Sequence, residues 1–195
     1  MKDFILASAS PRRSSLLREA GYHFEIIPSR VDEDAYPLRG IGASELTRIL
    51  AKAKAFDIAM LHKESLVLGS DCVVSVDDHI IGKPKDVQDA GRIIRLLFSK
   101  PHQVITSVAF IAINRGIEIV ETEFTTVYPK RLTDKQIENY LATGQWEGKA
   151  GAYGIQDPQT DDFIDHIEGS YTNVMGMPME KTADILNSLL GKNIS

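Results

Sequence analysis

The chain has a single cysteine, no excess of positive charge and no long hydrophobic run. Cys72 alone can form neither an internal disulfide nor a structural zinc site, which is typical of proteins in a reducing cytosol. With 22 Lys and Arg against 27 Asp and Glu, the net charge is -5, so no overall positive field can hold nucleic acid through its phosphates. No stretch approaches the roughly 18 apolar residues of a membrane helix. We therefore expect a cytoplasmic protein that binds neither nucleic acid nor membrane, and that captures anions with a local cluster of side chains.

Several common catalytic motifs are also missing. The five histidines, at positions 23, 62, 79, 102 and 166, have no spacing typical of a zinc site, and no G-x-S-x-G nucleophile motif occurs. The sequence also contains no G-x-x-x-x-G-K-[ST] phosphate-binding loop. Hydrolysis by a serine or a zinc ion is therefore disfavoured, and any phosphate must be held by a different structure.

The most informative feature that is present is the run from Leu6 to Arg13, L-A-S-A-S-P-R-R. Small residues such as Ser8 let the backbone approach a ligand, and Pro11 is placed as the first residue of a helix. The free N–H groups of a helix N-terminus attract anions. Arg12 and Arg13 fall in the first turn, where cations oppose the helix dipole, and their guanidinium groups suit phosphate oxygens. The run predicts a phosphate-binding site, with an exposed arginine pair at a helix start as the alternative.

Two groups of carboxylates are candidates for chemistry. Asp71 lies within or at the end of an apolar strand, where an uncompensated charge is costly and must be paired, capped or bound to a metal. A hard ion such as Mg²⁺ combines one or two carboxylates with water and substrate phosphate. The acidic run at residues 32 to 34, which includes Glu33, is a second candidate, with a solvated loop as its alternative.

Lysines and a glycine-rich segment supply further candidates. Lys83 is held in a G-K-P turn and can point at a ligand, whereas Lys52 and Lys54 fall on a helix, where lysines are more often solvated. Residues 148 to 156, G-K-A-G-A-Y-G-I-Q, are too apolar for a flexible linker and indicate a loop against a flat ligand or another backbone. The amide of Gln156 at its end can read the edge of a base. Residues 168 to 178 form a second such stretch, or an ordinary loop that caps the final helix.

Periodicity predicts an α/β fold with one extended mixed, largely antiparallel sheet, flanked by helices and divided into two lobes by a central cleft. Predicted strands cover residues 4–7, 24–27, 66–76, 80–81, 103–113 and 117–128. Predicted helices start at residues 11, 44, 86, 133 and about 178, and the chain between residues 142 and 178 is expected to be irregular and glycine-rich.

Five segments, taken in chain order, resemble the motifs of the Maf family of nucleoside triphosphate pyrophosphatases. S-x-S-P-R-R lies at residues 8–13, G-[AS]-D at 69–71, [GE]-K-P at 82–84 and K-A-G-A-Y-G-I-Q at 149–156. The closing G-S-Y-x-x-V-M-G-[ML]-P lies at 169–178, so the resemblance extends over nearly the whole chain. It implies a single Maf-like domain over residues 1–195, with an ITPase-like fold, and a homodimer.

The resemblance also implies an activity. This is hydrolysis of a nucleoside triphosphate substrate between the α and β phosphates, with a divalent metal cation, Mg²⁺ or Mn²⁺. Asp71 matches the family's proton acceptor, and Glu33 with Asp71 matches the metal site. The remaining matched positions bind substrate, and they are Ser8, Arg12, Arg13, Lys52, Lys83 and Gln156.

Substrate choice within the family is associated with the positions of Arg12, Cys72 and Gln156. Arg12 and Gln156 resemble the dTTP/UTP branch, whereas the 7-methyl-GTP branch has Trp and Glu at these places. Cys72 departs from both, since the branches usually have Thr and Gln there, and residues 157–162 depart from the usual glycine-rich continuation. A pyrimidine pyrophosphatase is the favoured hypothesis. The alternatives are the 7-methyl-GTP branch, a nucleotidyltransferase and a non-catalytic binder that regulates cell division and septum formation.

Overall fold

A computed structural model describes residues 2–36, 40–160 and 162–191. The residues that lie outside this description are 1, 37–39, 161 and 192–195. All of them belong to the single domain expected over residues 1–195, and residue 161 also belongs to the atypical segment 157–162. Within the described part, no helix is both long and apolar enough to cross a membrane.

The described residues form one seven-stranded sheet. Its strands are β1 (Phe4–Leu6), β2 (Phe24–Ile26), β3 (Val67–Val76), β4 (His79–Ile81), β5 (His102–Ala112), β6 (Ile117–Pro129) and β7 (Ile164–Glu168). Their order is β2-β1-β3-β5-β6-β7, with β4 paired to the same edge of β3 as β1. The β1 strand runs parallel to both β2 and β3, and every other pair is antiparallel, which confirms the mixed, largely antiparallel sheet.

Within the described ranges, six α-helices flank the sheet. Two of them have side-chain caps that the sequence signals indicate: Asp86 accepts a hydrogen bond from the Asp89 N–H at 2.8 Å, and Thr133 forms a capping box with Gln136. The helices are α1 (Pro11–Glu19), α2 (Ala43–Ala59), α3 (Val87–Leu97), α4 (Asp134–Ala142), α5 (Tyr171–Val174) and α6 (Met179–Leu190).

The sheet is covered by different helices over its length. α1 and α6 share a core cluster with β1 and the start of β3. α3 and α4 share another core cluster with the end of β3 and the start of β5. α2 packs on the opposite face through Ala51, Ala55 and Ala59. These two core clusters lie on either side of the middle of β3. They define two halves of the molecule, between which a site can form.

The chain between residues 142 and 178 is more ordered than the sequence predicts. It contains strand β7 and the short helix α5. The β7 segment, I-D-H-I-E, has three charged or titratable residues among five and pairs only with the end of β6. Its strand conformation depends on that long neighbour and not on its own propensity, which is why the local pattern does not indicate it.

Candidate active site

A cavity of about 560 Å³ opens where β1 ends beside β3. β1 pairs with β3 only as far as Leu68, and β4 begins to pair at Val74. Between these points, this edge of β3 has no neighbouring strand in the described part of the chain, and the loop after β1 leads away into α1. The cavity therefore lies at a break in the sheet, where side chains from both faces of β3 can reach it.

The cavity collects most of the residues nominated from the sequence. Its lining includes Ser8, Arg12, Arg13, Glu33, Asp71, Cys72, Lys83 and Gln156. Lys54 and Lys149 also line it, whereas Lys52 does not.

Arg13 is held in place by the backbone of the loop between α5 and α6. Its Nε donates to the Gly176 carbonyl at 2.9 Å, and its Nη1 donates to Ser8 Oγ at 3.1 Å. The same Gly176 carbonyl accepts a hydrogen bond from Ser70 Oγ at 3.0 Å, which ties the loop to β3. The segment at residues 168–178 therefore has a defined role, since it orients a cationic side chain at the N-terminus of α1.

Arg12 lies beside Arg13 in the same wall of the cavity. Burial and the neighbouring Arg13 guanidinium lower the pKa of Arg12 from its ordinary value, and the nearby Cys72, Asp157 and Tyr140 only partly oppose this. Two guanidinium groups this close are stabilised by an anion that contacts both. No side chain caps the N-terminus of α1, so its first N–H groups also face this wall.

Glu33, Lys54 and Asp71 form an ion-paired chain on the opposite side of the cavity. The Lys54 ammonium lies 2.7 Å from Asp71 Oδ1 and 2.6 Å from Glu33 Oε1, and Glu33 Oε2 lies 2.9 Å from the Lys83 ammonium. Burial favours the neutral form of Glu33. The hydrogen bonds and charges of Lys54 and Lys83 outweigh that effect and lower the pKa of Glu33 to about 2. Glu33 is thus ionised at neutral pH in a site that is otherwise rich in cations.

The structure corrects one nominated residue, because Lys54 and not Lys52 reaches the site. Residues that are two positions apart on a helix project in directions about 200° apart. Lys52 and Lys54 therefore cannot face the same side of α2. Lys52 pairs with Glu118 at 2.5 Å on the outer side, and its side chain is 46% exposed. Lys54 is 7% exposed and contacts the catalytic candidate Asp71.

The contact between Lys54 and Asp71 depends on a glycine two residues before Asp71. Gly69 and Asp71 point to the same face of β3, the one that α2 covers. A Cβ at Gly69 would lie 2.4 Å from the Ala51 carbonyl oxygen and 2.7 Å from the Ala55 nitrogen. The absence of a side chain lets α2 approach β3 closely enough for Lys54 to reach Asp71.

The carboxylates of the cavity fit a divalent cation that the substrate helps to hold. Among residues 2–36, 40–160 and 162–191, no three His, Cys, Asp or Glu side chains come together, so the protein does not supply a complete cage. Glu33 and Asp71 nevertheless face one ammonium group from two sides, so the two carboxylates can approach a single cation. Mg²⁺ commonly uses one or two carboxylates together with substrate phosphates and water. The arrangement fits a cation of this kind.

The far end of the cavity is formed by the segment from Lys149 to Gln156. Tyr153 is buried, and its hydroxyl lies 2.7 Å from Nε2 of His102. Since Nδ1 of His102 lies 3.1 Å from the Leu97 carbonyl, Nδ1 carries the proton and Nε2 accepts from Tyr153. Burial lowers the pKa of His102 to about 4, so this imidazole is neutral at pH 7. Oε1 of Gln156 is buried and has no hydrogen-bond partner in the described structure.

Cys72 lies on the face of β3 opposite to Asp71, next to the two arginines. Burial raises the pKa of its thiol, and the hydrogen bond with Thr106 and the charge of Arg13 only partly oppose that rise. The side chain is therefore a neutral thiol at the floor of the cavity. It is placed to contact a ligand but not to act as a nucleophile.

Sequence reasoning missed Lys149 as a lining residue of the cavity and Asp157 as its partner. Their side chains form a buried ion pair, of which Lys149 lines the cavity and Asp157 does not. The available signals were a lysine within the K-A-G-A-Y-G-I-Q segment and an aspartate directly after it, but their eight-residue separation matches no local pairing rule. Only the turn that folds residue 157 back onto residue 149 brings them together.

Comparisons with known proteins identify a family and full-length relatives of this chain. A family model described as Maf-like protein matches residues 3–189. The chain is 38% identical over 194 residues to a dTTP/UTP pyrophosphatase of Ruminiclostridium cellulolyticum, with 100% of both chains covered. It is 42% identical over 182 residues to one of Citrifermentans bemidjiense, with 93% of each covered. It is also 40% identical over 193 residues to one of Bdellovibrio bacteriovorus, with 96% of this chain and 97% of the relative covered.

Proposed function

Because the chain belongs to the Maf-like protein family, we propose that it is a nucleoside triphosphate pyrophosphatase that acts on dTTP and UTP. The reaction converts a nucleoside triphosphate and water into the nucleoside monophosphate and pyrophosphate. The observation that carries the proposal is one cavity with two functional walls. Paired arginines at a helix N-terminus form one wall, and a buried carboxylate on an ammonium group forms the other. A volume of about 560 Å³ also falls in the range of small-molecule sites.

The cations of the cavity bind the triphosphate. Arg13 keeps a fixed orientation through Gly176 and Ser8, so its remaining N–H groups can form paired hydrogen bonds with phosphate oxygens. Arg12 and Lys83 add charge from two further directions. When the bridging bond between the α phosphorus and the leaving pyrophosphate breaks, negative charge develops on the pyrophosphate, and these groups stabilise it.

Asp71 accepts the proton of the attacking water. Lys54 occupies Oδ1, so Oδ2 is the oxygen that receives the proton as the water oxygen bonds to the α phosphorus. The ammonium fixes the direction of the Asp71 carboxylate, while Glu33 shares the same ammonium from the other side. A divalent cation held by Glu33 and Asp71 would supply Lewis-acid polarisation of phosphate oxygens.

The preference for pyrimidines rests on the far end of the cavity and on the relatives. Gln156 has a buried amide oxygen that lacks a donor, and the N3–H of uracil or thymine is a donor of the right kind. Relatives named dTTP/UTP pyrophosphatase share about two fifths of their residues with this chain over nearly full length, at 38% and 42% identity. Arg12 and Gln156 occupy the two positions associated with that substrate choice.

The central test is release of pyrophosphate by the purified protein from dTTP or UTP, with Mg²⁺ or Mn²⁺ and no acceptor molecule. We expect release that EDTA abolishes and added cation restores. A nucleotidyltransferase would release pyrophosphate only when an acceptor is present. No release from either nucleotide would reject the proposed function.

A pair of variants tests the role of Asp71. We expect Asp71→Asn to lose most of the turnover while it retains nucleotide affinity, since the amide cannot accept the proton. Asp165→Asn is the matched control, because Asp165 is an exposed residue of β7 that pairs with His166 and does not line the cavity. Normal hydrolysis by Asp71→Asn would refute the assignment and favour a role in binding alone.

The cation requirement, the cytoplasmic location and the homodimeric state are further proposals that rest on the family resemblance. Sedimentation equilibrium of the purified chain measures the oligomeric state directly. A monomer mass at micromolar concentration would contradict the homodimer.

A further inference from the structure

Asp157 lies directly after Gln156, at a place where the sequence departs from the glycine-rich continuation typical of the family. Asp157 is 6% exposed, and its carboxylate belongs to neither the phosphate wall nor the Asp71 cluster. A buried carboxylate is costly unless donors surround it, so the groups that contact it indicate what it does.

Three donors meet this carboxylate, two from the segment 149–157 and one from α4. The Lys149 ammonium lies 2.7 Å from Oδ1 and 2.5 Å from Oδ2. The Tyr140 hydroxyl, from α4, donates to Oδ2 at 2.8 Å, and the Gly154 N–H donates to the same oxygen at 3.1 Å. Both carboxylate oxygens are therefore occupied, and the contacts join the two ends of the segment 149–157 to a helix of the core.

The fit around the carboxylate is close. A Cβ at Gly154 would lie 2.8 Å from Oδ1 of Asp157 and 2.8 Å from the Lys149 ammonium, so no larger residue fits at position 154 without displacing the pair. The Asp157 N–H donates to the Gly154 carbonyl at 3.0 Å, which closes a turn over residues 154–157. Thr160 supports the turn with its hydroxyl, which lies 2.7 Å from the carbonyl oxygens of Gly154 and Asp157.

Gln156 is carried by this turn. Its amide oxygen is buried without a donor, although its flanking residues are fixed by the contacts of Asp157 and by the burial of Ile155. The position of that amide relative to the cavity is thus set by the backbone of the turn. A small rotation of the turn would move the amide away from a base edge, which requires hydrogen-bond distances of about 3 Å.

We propose that Asp157 is a positioning residue for base recognition: its carboxylate, held by Lys149, Tyr140 and Gly154, fixes the turn that presents Gln156 to the base. This inference rests on the proposed pyrophosphatase function, because the base is that of the triphosphate substrate. Asp157 itself contacts neither the base nor the phosphates. Its loss should therefore affect the choice of base more than the hydrolytic step.

Two substitutions remove the anchor to different degrees. In Asp157→Asn, the amide nitrogen must replace one carboxylate oxygen, so in either orientation an N–H group faces a donor and one contact becomes repulsive. Tyr140→Phe removes only the hydroxyl that donates to Oδ2 and leaves the ion pair intact. Tyr22→Phe is the matched control, since Tyr22 is also a buried tyrosine, and its hydroxyl bonds to Asn187 in the α6 cluster away from the cavity.

The experiment measures kcat and KM for UTP and for CTP, which have similar size but different hydrogen-bonding edges, together with Tm for each variant. For Asp157→Asn, we expect the ratio of kcat/KM for UTP over CTP to fall about tenfold, because the site no longer holds a donor and acceptor in register with the base. We expect KM for UTP to rise about fivefold or more while kcat stays within about twofold, as for loss of binding that is equal in the ground and transition states. Tyr140→Phe should change selectivity in the same direction by a smaller factor, and Tyr22→Phe should lower Tm without changing the ratio.

The possible outcomes separate the inference from the proposed function. An unchanged UTP to CTP ratio in Asp157→Asn, whatever its Tm, overturns the inference and leaves the pyrophosphatase function standing. The inference is also overturned if Tyr22→Phe changes the ratio as much as the anchor variants do, since the effect would then be one of general stability. If Asp157→Asn does not fold, Tyr140→Phe decides by the same criterion. Absence of pyrophosphate release by the unsubstituted protein rejects the proposed function itself, and the inference with it.

Discussion

Lys52 and Lys54 are both lysines of α2, yet their surroundings differ completely. Lys54 is buried between two carboxylates, whereas Lys52 forms an exposed pair with Glu118. An exposed pair contributes about 0 to 1 kcal/mol, while removal of one partner from a buried pair leaves an uncompensated charge. The direction in which a lysine projects from α2 therefore decides whether it can take part in catalysis.

This contrast gives a matched pair of variants. Lys54→Met should reduce kcat for dTTP about a hundredfold or more, because the Asp71 carboxylate loses the ammonium group that orients it. Lys52→Met should leave kcat within about twofold, as expected for a surface pair. Steady-state pyrophosphate release measures both. Equal losses in the two variants would show that the ion-paired chain is not part of the mechanism.

Cys72 is a second residue whose role is local. Its neutral thiol lies on the floor of the cavity near Arg12 and Arg13. We expect Cys72→Thr to preserve or raise kcat/KM for dTTP, because threonine has a similar volume and is usual at this position in the pyrimidine branch. Comparison of dTTP kinetics for the two proteins measures the effect. A strong loss would indicate that the pocket is shaped around the sulfur atom.

At the scale of secondary-structure elements, the contact of α2 with β3 controls the site. Gly69→Ala would place a methyl group against backbone atoms of α2, which cannot move as a flexible side chain can. We expect a loss of about 1 to 3 kcal/mol in the free energy of unfolding and a large loss of turnover, since α2 carries Lys54. Urea unfolding and dTTP hydrolysis measure the two effects.

Gly42→Ala is the control for this prediction. Gly42 is the residue that precedes α2, it has φ of -72°, and a Cβ there would meet nothing within 4 Å. We expect its free energy of unfolding to fall by about 0.5 to 1 kcal/mol, because alanine is a poorer N-cap than glycine, and its activity to stay normal. If Gly69→Ala were as mild as Gly42→Ala, the close approach of α2 to β3 would not be required for the site.

We expect the free energy of unfolding to depend on pH, because a histidine is buried where β5 meets the segment 149–156. His102, the first residue of β5, is buried, and its pKa is lowered from an ordinary 6.5 to about 4. As pH falls below 6.5, the unfolded chain binds a proton that the folded chain binds only near pH 4. The contribution of His102 is therefore complete above about pH 6.5 and is lost as pH falls towards 4, by about 3 kcal/mol.

His102→Gln separates this effect from the titration of other groups. Its amide can still donate to the Leu97 carbonyl or accept from Tyr153, but it does not titrate. Between pH 7 and pH 4, we expect the free energy of unfolding of the original protein to fall by about 3 kcal/mol more than that of the variant. Urea titrations at both pH values provide the measurement. Parallel losses in the two proteins would show that His102 is not the group responsible.

At the scale of the whole molecule, the cavity joins two halves that have separate core clusters. One half contributes the start of α1, and the other contributes the segment 149–156. A nucleotide that contacts both walls binds the folded chain only, so it raises the free energy of unfolding. The increase is about 2.7 kcal/mol when the ligand concentration is a hundred times Kd.

The Asp71→Asn variant allows this stabilisation to be measured without turnover. We expect dTTP to raise its Tm, and dTMP at the same concentration to raise it much less, because dTMP lacks the β and γ phosphates that Arg13 and Lys83 would contact. Thermal unfolding monitored by circular dichroism gives both shifts. Equal shifts for dTTP and dTMP would contradict the assignment of the arginine wall to the triphosphate.

Local sequence patterns determined much of this protein. The period of apolar residues indicated the strands and helices that form the sheet and its cover, except β7 and α5, and chemistry alone nominated Asp71, Arg12 and Arg13. The predictions of strands and helices succeeded because backbone propensity and capping depend on residues that are close along the chain. The roles of Asp71, Arg12 and Arg13 stay predictions. The Maf-like motifs added the reaction and the substrate class.

Only the tertiary structure decided which side chains meet. The choice of Lys54 over Lys52 follows from the rotation of α2 about its axis, and Gly69 permits the close approach of α2 at Ala51 and Ala55. The pairing of Lys149 with Asp157, and of Gly176 with Arg13, joins residues that no local spacing relates. Such contacts depend on how separate elements pack, and a sequence pattern within one element does not contain that information.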